Sequence, residues 1–144
     1  MSELAKTKKW FEQAIPEPTD GQKCIQIGCH YEEVAEMMEA LADDAIGLEL
    51  DRVSNQYKME FEEHLSFIEN LSEDEKISLL DSLADQIVTA VGVAHMFGMD
   101  ILGALAEVNR SNFSKFENGK PVFDANGKIT KGKGYTPPNL TPYI

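Results

Sequence analysis

From Cys24 to Leu48 apolar side chains recur at alternating spacings of three and four: Cys24, Ile27, Tyr31, Val34, Met38, Leu41, Ala45 and Leu48. The 3.6-residue period of an α-helix puts such a series on one face, whereas a strand would scatter it over both. The spacing predicts one long amphipathic helix, capped at Thr19 or Asp20 and running to about Gly47 or Leu50, which Gly28 weakens without breaking. A chain built around such a helix must bury its apolar stripe against other helices. The expected fold class is therefore all-α, a bundle of four to five helices ending in a short C-terminal β-hairpin and extended tail.

Local signals place the remaining elements. A first helix is expected over residues 2 to 14, offering Leu4, Trp10, Phe11 and Ala14 for packing, and Pro16-Glu17-Pro18 stops it. A third, over residues 51 to 70, carries Val53, Tyr57, Phe61, Leu65 and Ile68 on one face, with His64 expected to be a partly exposed surface histidine rather than a ligand or catalytic base. Ser72-Glu73-Asp74-Glu75 is a capping box that opens a fourth helix over residues 73 to 97. There Ile77, Leu80, Ala84, Ile87, Val91 and Ala94 form one stripe, and Leu79, Leu83, Ala90, Val93 and Phe97 nearly fill a second. Such a helix is expected to lie between neighbours, so that Asp85 within it needs a partner. Asp100 caps a fifth helix that ends near Asn109-Arg110-Ser111-Asn112, and Asn126-Gly127 between Val122-Phe123 and Ile129 marks a hairpin. These elements define a helical domain over residues 1–116 and a basic tail over 117–144, whose aromatic and aliphatic side chains are expected to pack on the bundle.

In 144 residues with 42% apolar content there is room for one core, small enough to be completed by a partner. Cys24 and Cys29 are expected to be small buried hydrophobes rather than a disulfide or a zinc site. No uninterrupted run approaches the roughly 18 apolar residues that cross a bilayer, and the start of the chain does not read as a signal peptide, so a cytoplasmic protein is expected. A net charge of −12 speaks against nucleic acid and anionic membrane as partners. The charge is also unevenly spread. Between Glu32 and Asp100 stand 18 acidic residues against Arg52, Lys58 and Lys76, whereas from Arg110 onward six basic residues face only Glu117 and Asp124. An acidic body with a basic tail suits a ligand that combines cation and anion, such as a magnesium-bound polyphosphate.

Glu32, Glu33, Glu36 and Glu39 on one helix and Asp81 and Asp85 on another can face each other in an antiparallel bundle, presenting the hard oxygen donors that magnesium takes. The alternative is that Glu32, Glu36, Glu39 and Asp43 lie opposite the apolar stripe and meet only water. The pattern alone favours that alternative.

The combination of Glu32-Glu33-x-x-Glu36, Asp85 in an apolar helix, and the segment EVNRSNFSKFENGKPVFDANGKITKGKGY resembles the MazG-type all-alpha nucleoside triphosphate pyrophosphohydrolases. It is most similar to their small single-domain, phosphoribosyl-ATP pyrophosphohydrolase-like branch seen in phages, prophages and mobile elements, and the similarity spans residues 24 to 135. The family's motifs are EExxE and ExxD. The resemblance implies that Glu33, Glu36 and Asp85 hold Mg2+, with Mn2+ as a substitute, that Glu32 is a further ligand or the group that orients the attacking water, and that Glu32 and Glu36 are the catalytic pair. The second motif departs at Ser82, which stands where the pattern has glutamate, and Asp81 is one helical turn from Asp85 and able to share its metal.

The resemblance further implies hydrolysis of a nucleoside triphosphate between its alpha and beta phosphates, by a homodimer or homotetramer. Asn109, Asn112 and Lys115 would contact base, sugar or phosphate, and Lys131, Lys133 and Tyr135 would close over the phosphates. Capping for the asparagines and exposure for the lysine are the structural alternatives. Two further readings stand beside it: the same chemistry on phosphoribosyl-ATP, and an inactive helical dimer that binds a nucleotide or a protein, with Ser82 as the sign of lost activity.

Overall fold

The computed structural model describes Met1–Ile144, the side chain of Phe61 excepted, so the expected place of Phe61 on an apolar face lies outside the described residues. The chain is mostly helical, with six α-helices and one small antiparallel sheet among the described residues. Two compact units divide it: Glu17–Glu73, and Met1–Pro16 together with Asp74–Ile144.

The Glu17–Glu73 unit is a helical hairpin. Helix α2 (Asp20–Ala40) opens on a capping box in which the Gln22 backbone N–H donates to Thr19 Oγ1 and the Thr19 N–H to Gln22 Oε1. It does not run to Gly47. Ala42 takes a left-handed conformation (φ 60), its N–H bonds the Glu39 carbonyl and the Asp43 N–H bonds the Met38 carbonyl, which closes the helix end as a Schellman motif. Asp43 then caps α3 (Asp44–Met59), its carboxylate accepting from the Ile46 N–H. The helix expected over residues 51 to 70 is thus α3, started earlier, followed by a 3-10 turn (Phe61–Glu63) and short α4 (Leu65–Glu69), both of which lie against α2.

Helices α2 and α3 pack antiparallel along small residues: Cys24, Gly28 and Ala35 are buried on one, Gly47 and Ser54 on the other. A Cβ at Gly28 would stand 2.7 Å from the Ser54 carbonyl oxygen and 2.5 Å from Lys58 Cγ, so only glycine admits this approach. Ser54 Oγ donates to the Gly28 carbonyl at 2.7 Å and locks the contact. At the open end of the hairpin Tyr31 stacks on Tyr57, and Tyr57 on His64 with ring centroids 4.2 Å apart. His64 is partly exposed, as expected, with its ring held in this stack.

In the other unit α1 (Glu3–Ala14), capped by Ser2, packs on α6 (Ile101–Phe113), capped by Asp100. Trp10 is buried, stacks on Phe116 and donates its indole N–H to the Asn112 carbonyl at 2.8 Å. Strands β1 (Val122–Phe123) and β2 (Ile129–Thr130) pair about Gly127, whose φ of 78 the turn requires, with the Asp124 carboxylate accepting from the Asn126 and Lys128 N–H groups.

The last residues run back along α6. The Arg110 guanidinium grips Glu107 through two bonds of 2.8 Å and also donates to Thr136 Oγ1 and the Pro137 carbonyl, while the Asn139 N–H donates to Glu107. Tyr143 closes the strap, its carbonyl accepting from the Asp100 N–H and its ring lying over Gly103.

Helix α5 (Glu73–Met96) spans the residues expected of the fourth helix to within one. Of its 24 residues Ala94 is buried and Gly92 half-buried, and the rest are exposed. By length and composition it is long and apolar enough to cross a membrane.

Candidate functional site

The α2 acids do not share one environment. Gly28 and Ala35 fix which side of α2 meets α3, and Glu32, four residues after one and three before the other, falls on that side. The close packing at Gly28 carries the stem of Lys58 across the α2 backbone, and its ammonium stands 3.0 Å from Glu32 Oε1. Both side chains are largely withdrawn from water, 14% exposed for Lys58 and 29% for Glu32. Four other ion pairs, Lys6–Glu3, Lys8–Glu12, Lys23–Asp20 and Arg110–Glu107, join residues three or four apart on one helix, whereas this one bridges two helices. Glu33, Glu36 and Glu39 are exposed. Glu39 nevertheless lies on the α3 side, its Cγ standing 3.0 Å from where a Cβ on Gly47 would be. The expectation that Glu32 and Glu39 sit opposite the packed face is thereby corrected: the buried face runs through small residues, and the acids flank it. Asp43 is used as the α3 cap.

Asp81 and Asp85 are both exposed on α5, so the buried setting expected for Asp85 is not found; its backbone carbonyl accepts from Thr89 Oγ1 at 3.0 Å. Ser82 is exposed beside them.

Of the residues expected to contact substrate, Asn109 is 3% exposed and committed to α1. Its carbonyl oxygen accepts from Thr7 Oγ1, and its amide donates to the Glu3 backbone carbonyl and to Glu3 Oε2. The Lys6 ammonium first, and then the Asn109 amide bonded to Glu3 Oε2, hold the Glu3 carboxyl below its ordinary range. Asn112 lends its backbone carbonyl to Trp10. Lys115 places its ammonium 6.0 Å from the Trp10 ring, and its carbonyl accepts from the Gly132 N–H. Lys131 and Tyr135 do meet, the ammonium lying 4.9 Å above the ring. Lys133 is exposed, its backbone N–H bonded to Glu117. Asn109, Asp81, Asp85 and the tail lysines all belong to the unit containing α5 and α6; the glutamates belong to the other.

Glutamate and aspartate are donors that magnesium takes, but among the described residues no three His, Cys, Asp or Glu side chains gather where a metal could be held. Glu32 is paired with Lys58.

Hydrophobic periodicity does not reveal Lys58, because it marks only apolar side chains. The signal that could have found it is charge: Lys58 is one of three basic residues in the acidic stretch from Glu32 to Asp100. Burial pushes the Cys24 thiol above its ordinary range, as suits a core residue rather than a nucleophile. A shallow groove along α3, lined by Leu48, Arg52, Gln56 and Met59 among others, holds none of the expected site residues. The chain matches no family model, no curated protein and no solved structure.

Proposed function

We propose that this chain is a nucleoside triphosphate pyrophosphohydrolase, converting a ribo- or deoxyribonucleoside triphosphate to the monophosphate and pyrophosphate at the α2 acids. The observation that carries the reading is the Lys58–Glu32 pair: the first acid of the Glu32-Glu33-x-x-Glu36 series is met by a cation brought across from another helix. The pair holds one carboxylate of the series in a fixed place, partly withdrawn from water, while Glu33 and Glu36 stay exposed. The likeness of residues 24 to 135 to the MazG-type enzymes supports the same assignment.

In this reaction a water oxygen bonds to the alpha phosphorus, and the bond from that phosphorus to the bridging oxygen breaks. Pyrophosphate leaves with the electron pair. In this reading Glu36 takes the proton from the water, and Glu32, held by Lys58, orients it. Among the described residues no ligand set for magnesium is gathered.

The test is pyrophosphate release from a panel of nucleoside triphosphates that includes phosphoribosyl-ATP, with and without magnesium, by wild type and Glu36→Gln. Release that disappears in the variant establishes the activity, and the panel ranks the substrates. A second reading, an inactive helical protein that binds a nucleotide or a protein partner, is favoured by Ser82 and by the lack of a gathered acid set among the described residues. A folded wild type that releases nothing across the panel selects it.

A further inference from the structure

Two Asn-Gly steps sit in turns of the basic tail, and their surroundings differ. Asn126-Gly127 is tied down: the Asn126 and Lys128 N–H groups both donate to Asp124 Oδ1 at 2.9 Å, and the Gly127 N–H donates to the Asp124 carbonyl at 3.1 Å. Asn118-Gly119 is not. Its two residues form the tip of a turn, with positive φ at both, 51 and 73, and the bonds that close the turn lie on either side of the tip: the Glu117 N–H donates to the Lys120 carbonyl and the Lys120 N–H to the Glu117 carbonyl. The Gly119 N–H has no partner among the described residues, both residues are exposed, and nothing stands within 4 Å of the place a Cβ on Gly119 would take.

We propose that Asn118 is a site of spontaneous modification, at which the turn converts its own asparagine to aspartate and isoaspartate with water as the co-reactant. An N–H that bonds only to water can give its proton to hydroxide, and glycine carries no side chain to keep its nitrogen away from the neighbouring amide. The Gly119 nitrogen then bonds through its lone pair to Asn118 Cγ, and the Cγ–Nδ2 bond breaks. The leaving nitrogen takes a proton from water and departs as ammonia, which closes a succinimide ring. Water adds to one of the two ring carbonyls, and the C–N bond at that carbonyl breaks. Opening at Cγ gives aspartate; opening at the backbone carbonyl gives isoaspartate, whose main chain runs through Cγ and is one atom longer. A turn closed on both sides by bonds of 2.9 and 3.0 Å has no room for that atom. Glu117 is disturbed with it. Its Oε1 accepts from the Lys133 N–H at 2.8 Å, so isoaspartate at 118 unfastens the segment that carries Lys131, Lys133 and Tyr135. None of this rests on the catalytic reading.

The test is peptide mapping by mass spectrometry of the full chain, held folded in warm, mildly alkaline buffer. Turning an amide into an acid changes the mass, and fragmentation separates aspartate from isoaspartate. Asn118 is expected to convert roughly tenfold faster than Asn126, the factor set by the hydrogen bonds that Asn126-Gly127 must first break, with isoaspartate among the products. In urea, where those bonds are gone, the two steps are expected to convert at equal rates, and Asp124→Ala is expected to raise the rate at Asn126 alone. In the aged chain the Lys133 amide is expected to lose protection from hydrogen exchange, whereas Asn118→Asp, which brings the charge without the longer backbone, keeps it. Equal rates at the two sites in the folded chain, or an Asn118 that converts in urea and not in the fold, overturns the modification site. Undiminished protection at Lys133 in the isoaspartate form overturns the unfastening.

Discussion

The Lys58 ammonium stands 3.0 Å from the Glu32 carboxylate because Gly28, one helical turn before Glu32, lets the lysine stem lie directly on the α2 backbone. Three residues on two helices thus define one geometric arrangement. Removing either charge leaves the other half-withdrawn from water. Lys58→Met keeps the stem over Gly28 and deletes the charge, and a double-mutant cycle with Glu32→Gln, read by urea denaturation, is expected to return a coupling of about 1 kcal/mol. A coupling near zero would mean that the pair contributes nothing to stability.

Gly28→Ala tests the approach itself. The new methyl would meet Ser54's carbonyl oxygen at 2.7 Å, and that atom belongs to a helix backbone that cannot yield as a side chain does. A loss of about 2–3 kcal/mol is expected from thermal denaturation. A smaller loss for Gly47→Ala should accompany it, since there the nearest atoms are Glu39 Cγ at 3.0 Å and the Ala35 carbonyl oxygen at 3.4 Å.

Ala42 occupies a left-handed position that glycine adopts without a Cβ penalty. Ala42→Gly should therefore stabilise the protein by about 0.5–1 kcal/mol, the conformational relief outweighing the added freedom of the unfolded chain. Unchanged or lowered stability by chemical denaturation would contradict the Schellman closure.

The Glu107 carboxyl is pulled down to about 2, first by the Arg110 guanidinium and then by the Asn139 N–H. A carboxyl depressed below its ordinary value of 4.5 stabilises the fold fully above that value, and the contribution is lost as the pH falls from about 4.5 through about 2. Protection of the amides in residues 136–143, taken relative to their intrinsic exchange rate at each pH, is expected to fall across that window in wild type. In Glu107→Gln protection should be low throughout and constant across the same window.

The elements that local chemistry announces were legible in the sequence. Thr19 and Asp100 cap where expected, α5 opens at Glu73 after Ser72, and Gly127 turns the hairpin. The end of α2 was not legible, because the residue in the left-handed position is alanine rather than glycine and because Ala45 and Leu48 keep the helical period across the break. Nor was the packed face of α2. Large apolar residues mark a stripe through Ile27, Val34 and Met38, yet the closest approach runs through Gly28 and Ala35, where backbones can meet. At the candidate site the glutamates announce themselves by their spacing. Their lysine does not, since it becomes a neighbour only when α2 and α3 fold together. Asn109 was placed correctly at the end of a helix, but its hydrogen bonds go to Glu3 and Thr7, a partnership that no local pattern encodes.

That partnership also sets an order of events during synthesis. Thr7 and Asn109 are 102 residues apart, and the whole Glu17–Glu73 unit lies between them in the chain. The hairpin of α2 and α3 has all its contacts in hand as soon as it clears the ribosome, whereas α1, made first, has no surface to dock on until α6 has emerged. At about 5–20 residues per second that wait is roughly 5–20 s, during which Trp10 is uncovered. Protease trimming of ribosome-bound chains stalled near residue 110, where the hairpin has left the exit tunnel and α6 has not, should therefore remove residues 1–16 and spare the hairpin; released chains should resist at both places.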